Sequence, residues 1–187
     1  MATDISTFKG ALKYGGARPS LFDITIATGA DAPGMTDDIR TLCNVSAIPP
    51  LTLTPIERQY FGRTVKIPGD IVFGDLTTSI INTETMDVKK VLEEWMEAIN
   101  GATSNLGFSD STSMYGTVIL TQYSKDGDSL MKWNFTDCWP TSIAEVALSY
   151  DTASDIEQFD VTWAYNYYTQ AKASGGASSV SSYAKHL

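Results

Sequence analysis

The sequence predicts a mainly β fold, a rolled β-sandwich or closed β-barrel with one flanking helix. Two patterns carry this expectation. Apolar and polar residues alternate along several short segments, the period of a half-buried strand. One segment alone switches to the helical period. The short connections make many strand pairs antiparallel and argue against an alternating βα order. With 187 residues, 43% of them hydrophobic and 11% aromatic, the chain can build a real core. The expected organisation is an N-terminal arm at residues 1–20, a β domain at 21–168 and a flexible C-terminal extension at 169–187.

Residues 1–20 lack periodic apolar content and read as an arm. The first strand is Leu21–Ala27, with Phe22, Ile24 and Ile26 on one face. Gly29, Pro33, Gly34 and Asp37-Asp38 make residues 28–40 a loop by composition. Leu42–Ile48 reads as a strand stopped by Pro49-Pro50. Residues 51–62 read as irregular, with a strand resuming over Arg63–Ile67 before Pro68-Gly69, and Leu76–Asn82 as another strand. The helix spans about Asp87–Asn100, where Val88, Val91, Leu92, Trp95, Met96 and Ile99 form one stripe. Thr83 or Thr85 suits its N-cap and Gly101 its C′ position. After a Ser/Gly/Asn-rich stretch at 101–115, Gly116–Tyr123 and Leu130–Asp137 form a hairpin across Asp126-Gly127. Glu145–Tyr150 reads as a strand through Val146, Leu148 and Tyr150. Gln158–Tyr168 reads as one long strand with Phe159, Val161, Trp163, Tyr165 and Tyr167 on one face. The Ala/Ser/Gly-rich residues 171–187 have no periodicity and are expected to be mobile unless a neighbour orders them.

Charge narrows the function. Thirteen Lys and Arg against twenty-two Asp and Glu give −9, which argues against a grip on nucleic acid phosphates. The one histidine, His186, lies next to the C-terminus, so an internal His base or a His-rich metal site is excluded. Cys43 and Cys138 have no CxxC spacing and read as reduced core residues, with a disulfide as the alternative. No signal peptide is evident and no apolar run approaches the ~20 residues of a membrane span. A soluble protein folded in the cytoplasm, without membrane insertion, is expected.

No Walker A, GxGxxG, GxSxG or HExxH motif occurs. Lys125-Asp126-Gly127-Asp128 lacks the ligand ladder of a calcium loop and reads as a turn. Asp37-Asp38 reads as solvated charge, and Asp70 with Asp75 is a negligible signal for a glycosidase pair. No cofactor, metal or catalytic residue is expected. The arm, the long terminal strand and the tail are instead parts by which β proteins pair with neighbours.

Several strings, in order, resemble one family. Ala17-Arg18-Pro19-Ser20-Leu21-Phe22 opens the first strand, Ile48-Pro49-Pro50 ends the second, and Lys66-Ile67-Pro68-Gly69-Asp70 follows. Ile80-Ile81-Asn82 and a helix containing Trp95 come next. Cys138-Trp139-Pro140-Thr141-Ser142-Ile143, Val146-Ala147-Leu148-Ser149-Tyr150-Asp151 and Ile156-Glu157-Gln158-Phe159-Asp160-Val161-Thr162 complete the series. Over residues 15–168 the chain resembles the tail tube proteins of contractile-tailed, T4-like bacteriophages (myoviruses). Residues 28–41, 101–115 and the tail beyond Tyr168 look longer than in compact members.

The resemblance implies a non-enzymatic virion protein made in the host cytoplasm. Its subunits close into hexameric rings, and the rings stack into a hollow tube inside a contractile sheath. DNA passes through without specific binding. The implied partners are the chain itself, the sheath, the baseplate, the tail terminator and a tape measure protein in the lumen. A tube subunit of a tailocin, a type VI device or another phage-derived injection system is the alternative. A carbohydrate-binding β-sandwich is the remote one, resting on the four Trp and nine Tyr. Within this frame Arg18, Pro19, Pro49, Pro50, Arg58, Tyr60, Arg63 and Lys66 are candidates for contacts between subunits and rings. Lys132, Asn134, Asp160, Thr162 and Asn166 are candidates for the lumen, and Glu93, Glu94 and Glu97 for the sheath. Six chains of −9 place −54 on a ring, a charge that repels passing DNA.

Overall fold

The computed structural model describes residues 5–12, 15–29, 32–35, 39–104, 106–107, 111–146, 148–150, 155–172 and 180–181. Eight antiparallel strands surround one core. One sheet runs β1 (Phe22–Ala27), β6 (Gly116–Tyr123), β7 (Ser129–Ile143), β9 (Tyr167–Lys172) and β10 (Val180–Ser181). The other runs β2 (Cys43–Ala47), β5 (Leu76–Ile81), β8 (Gln158–Ala164) and the far end of β7. β3 (Leu51–Tyr60) and β4 (Arg63–Phe73) form a separate hairpin. The expected mainly β fold with a flanking helix, α3 (Asp87–Ile99), is therefore the observed one.

β7 joins the sheets because it bends. Asp137 takes φ 56, so Ser129–Thr136 and Trp139–Ile143 point in different directions. β9 pairs with the first part and β8 with the second. The Asn166 amide nitrogen donates to the Asp137 carboxylate at 2.8 Å, and its backbone N–H donates to the Thr136 carbonyl at 3.2 Å. The chain therefore changes sheets at Tyr165-Asn166, and the expected single strand Gln158–Tyr168 is two. Phe159, Val161, Trp163 and Tyr168 are buried, whereas Tyr167 is exposed. Trp163 and Tyr168 are five apart, an odd spacing that no unbroken strand can bury on one face.

The core is one cluster drawn from both sheets and α3. Val88, Leu92 and Trp95 bury the α3 stripe. Trp95 Nε1 donates to the Met114 carbonyl at 2.9 Å, and its ring lies 6.0 Å from that of Trp163. Trp163 Nε1 donates to Thr78 Oγ1 at 2.9 Å. Each indole thus buries its surface without stranding its N–H. Gly116 lets α3 approach the sheet, since a Cβ there would lie 2.5 Å from the Ala27 carbonyl and 2.8 Å from the Trp95 ring.

Other expectations change. The arm holds a short helix, α1 (Ile5–Ala11), with no buried residue, and α2 (Ile39–Leu42) precedes β2. The α3 N-cap is Met86 at φ 54, without a side-chain cap. Thr83 instead accepts the Met86 N–H through its carbonyl, and Thr85 bonds the Asp87 carboxylate at 2.5 Å. The helix ends at Asn100 in extended geometry, and Gly101 is not left-handed; a Cβ there would meet Ser104 Oγ at 2.6 Å. The described residues of 145–150 form no strand, with Leu148 and Tyr150 exposed. The pairing of β7 with β8 ends just before that segment, with Ile143 opposite Val161 and the Ala144 N–H donating to the Asp160 carbonyl at 2.8 Å. The expected turn does form: Gly127 has φ 88, and Ser124 Oγ accepts the Asp126 and Asp128 N–H groups.

Cys43 and Cys138 are free and buried, which decides for reduced thiols. Burial pushes them up to about 11 and about 12. Cys138 then holds about a thousandfold less thiolate than an exposed thiol of pKa 9.0. At pH 8 a maleimide probe should label neither cysteine in native protein and both after denaturation. Native labelling at the rate of a free thiol would contradict this burial. Unfolded thiols ionise before the folded ones, so this contribution to stability is lost as pH rises from about 9 to about 11.

Candidate assembly surfaces

Residues 51–62, expected to be irregular, instead build the β3 arm and the turn of a long hairpin that meets the core at its base, where the Phe73 ring lies 6.1 Å from Tyr165 and 5.4 Å from Tyr168. Phe61 and Gly62, at φ 44 and 75, form a two-residue turn that matches strand twist. The prolines suggested a break. However, Pro55 stands opposite Pro68 beside a bulge, and in a two-stranded ribbon each strand has an edge that needs no N–H. At the base, Gly74 donates its N–H to the Pro50 carbonyl at 3.0 Å, and Tyr165 Oη donates to the Gly74 carbonyl at 2.6 Å.

Register sorts the hairpin into two faces. Glu57 opposes Lys66 with an ion pair at 3.1 Å, and Gln59 opposes Thr64 with a hydrogen bond at 2.9 Å. The alternate pairs are Ile56 with Ile67, Arg58 with Val65 and Tyr60 with Arg63. One face is therefore polar and the other apolar with two arginines. At the tip Phe61 is 90% exposed, edge-on to Tyr60 at 4.7 Å. Nearer the base Leu51, Leu53, Ile71 and Val72 are also exposed. A lone ribbon with this much bare apolar surface is marginal in water and marks a protein contact. Arg58, Tyr60 and Arg63 thus meet on one face. Lys66 lies on the other, Pro49 is buried at the base, and Pro50 is exposed there. Arg18 and Pro19 are exposed elsewhere, where the arm enters β1; the Arg18 carbonyl accepts from Gln122 Nε2 at 3.3 Å.

β1 and β2 end their sheets, each with one strand neighbour. α2 packs against both, and Arg40 Nε donates to Asp23 Oδ2 at 2.6 Å. Among the described residues no second strand pairs with either, and a strand edge of this kind is where another chain can add.

The polar outer faces divide the lumen candidates. Lys132 and Asn134 are exposed on the first sheet, opposite Thr121 and Ile119 of β6. Asp160 and Thr162 lie on the second, opposite Ser79 and Thr77 of β5. Asn166 sits at the corner with Asp137. Glu93, Glu94 and Glu97 are exposed on α3, where Lys89 and Lys90 pair with Glu93 and Glu94 at 3.3 and 3.7 Å. The sequence did not single out a groove of ≈ 440 Å³ lined by Glu145, Val146, Leu148, Asp155, Ile156 and Glu157.

Among the described residues no group of three or more His, Cys, Asp or Glu could hold a metal, and no helix is long and apolar enough to cross a membrane. Asp37-Asp38 and His186 lie outside the described residues, as does most of 171–187. Trp95, Trp133 and Trp163 are buried and Trp139 is half-buried against Tyr115, which leaves no open tryptophan platform for a sugar.

Comparison with known proteins agrees with this geometry. A family model described as phage tail tube protein matches residues 17–171. The tail tube protein gp19 of Enterobacteria phage T4 is 25% identical over 153 residues, 81% of this chain and 90% of that protein. The tail tube protein of Serratia phage KSP90 is 26% identical over 163 residues, 85% and 92% of the two chains. Among solved structures, a chain of the anti-feeding prophage tube-terminating cap shares the fold at TM-score 0.61 and 18% identity, covering 84% of this chain and 92% of that one. A chain of the PVC extracellular contractile injection system sheath-tube complex does so at TM-score 0.58 and 18% identity, covering 91% and 99%.

Proposed function

Because this chain belongs to the phage tail tube protein family, we propose that it is a structural, non-catalytic subunit whose copies close into rings of six and stack into a hollow tube. The observation that carries this reading is the pairing of open sheet edges with a bare apolar hairpin. Edges on β1 and β2 suit closure between neighbours, and the hairpin with the N-terminal arm suits contact between rings. The rings stand within a contractile sheath of a virion tail. The baseplate starts the tube, a terminator ends it, a tape measure protein occupies the lumen during assembly, and DNA later passes without specific binding. A polar sheet face supports a wet lumen, and a net charge of −9 per chain disfavours DNA adhesion. The fold shared with contractile injection chains supports a second reading, a tube that carries protein.

Electron microscopy of the purified protein tests the reading: rings or tubes of uniform diameter are expected, and a monomer at high concentration counts against it. The α3 strip is the proposed sheath contact. Glu93→Lys, Glu94→Lys and Glu97→Lys together should leave tubes intact and cut sheath assembly on preformed tubes at least about tenfold, since exposed charge steers association. Unchanged sheath assembly would remove α3 from that role.

A further inference from the structure

The hairpin and the groove stand at opposite ends of the second sheet. β2 ends at Ala47, opposite Thr77, and the chain returns from the hairpin at Leu76, opposite Trp163 near the end of β8. At the other end Ile81 pairs with Gln158, the first residue of β8, and the groove residues Glu145, Val146 and Leu148 follow β7 while Asp155, Ile156 and Glu157 precede β8. The seven residues of β8 put about 20 Å between the two ends.

Their chemistries also match. The hairpin tip presents Tyr60 and Phe61 beside Arg58 and Arg63, neither of which forms an ion pair among the described residues. The groove presents exposed Leu148 and Ile156 and half-buried Val146, beside Glu145, Asp155 and Glu157. Glu157 is held by the Asn82 amide, which donates to it at 2.6 Å. Chains of −9 repel one another, so stacking needs a local cationic surface. The hairpin supplies one, with Arg58, Arg63 and Lys66 against Glu57 and Asp70.

We infer that the hairpin tip of one subunit seats in the Glu145–Glu157 groove of a second copy in the next ring. This rests on the tube reading above and names the surface that receives the hairpin. Phe61 covers Leu148, Ile156 and Val146, while Arg58 and Arg63 face Glu145, Asp155 and Glu157. Knob and socket occupy opposite ends of one chain, so the contact is head-to-tail and repeats without closing. Its ionic part weakens with salt.

Disulfide trapping in assembled full-length protein tests it. The buried Cys43 and Cys138 do not compete. A chain carrying Phe61→Cys and Leu148→Cys should give a ladder of covalent multimers on mild oxidation. A mixture of the two single variants should stop at dimers, and Ile156→Cys should replace Leu148→Cys. Should a cysteine disturb assembly, charge exchange gives a second reading. Arg58→Glu with Arg63→Glu should raise the concentration needed for tubes at least about tenfold. Adding Glu145→Arg and Asp155→Arg to the same chain should restore it. Uniform tubes without either cross-link, tubes unchanged by Arg58→Glu with Arg63→Glu, or no rescue would overturn the groove and leave the tube standing. Dimers from Phe61→Cys alone would replace it with a hairpin-to-hairpin contact. Absence of rings and tubes from the unaltered protein would instead remove the tube reading itself.

Discussion

A chain carrying Ile56→Asp and Ile67→Asp is expected to fold normally and to form no tubes. These residues oppose each other on the apolar hairpin face, and each is about half exposed, at 47% and 49%. Covering what remains stabilises a contact by ~1 kcal/mol per side chain. Burying two unpaired carboxylates there costs several kcal/mol more. A loss of about 3 kcal/mol per subunit raises the concentration needed for assembly more than about 100-fold. The hairpin meets the core at Phe73 on its base, away from Ile56 and Ile67, so the core does not register the change. The melting temperature should move by about 2 °C or less, the scale of a surface substitution. Sedimentation and electron microscopy report assembly, and a thermal scan reports folding. Normal tubes would show that the bare hairpin face is not a contact, and a large loss of melting temperature would show that it packs on its own chain.

Trp163→Ala should be the most damaging single change to the fold. The indole is fully buried between the sheets beside Trp95, and its N–H satisfies the buried Thr78 hydroxyl. Truncating a buried Trp costs about 3–5 kcal/mol, and stranding Thr78 adds to that. A domain stable by about 5–15 kcal/mol loses about a quarter of its margin or more. Trp163→Phe should cost less, since it keeps most of the packing and loses only the hydrogen bond. Tyr150→Ala, at an exposed position once expected to lie on a strand, should leave the denaturation midpoint unchanged. Equal midpoints for all three variants would contradict this core.

The sequence made the core faces legible wherever a strand had partners on both edges or a helix lay over it. On β7 and β8, alternation separated Trp133, Phe135, Phe159, Val161 and Trp163 from Lys132, Asn134 and Asp160. The α3 stripe was legible for the same reason. The hairpin was not, because its apolar residues face away from the core and its prolines resemble strand breakers. Phe61-Gly62 between β-branched runs was the available signal for its turn. The family strings pointed to assembly, whereas the groove drew on Glu145–Tyr150, which alternation had assigned to a strand, and on Asp155–Glu157, which precede the expected last strand.

The amino-acid order by itself therefore determined which residues could share a face, the presence of a single histidine, and the family. Periodicity and composition are local properties, and they persist in any fold the chain adopts. Only the tertiary structure decided which alternating segments found a partner. Val146, Leu148 and Tyr150 alternate as well as Phe159, Val161 and Trp163 do, yet only the second set is paired, all three residues by β5 and Val161 and Trp163 also by β7. Strand formation requires a neighbour's hydrogen bonds, which are supplied from distant parts of the chain. The same logic left β1, β2 and the hairpin with unfilled surfaces, and these are the surfaces through which the fold can extend into a tube.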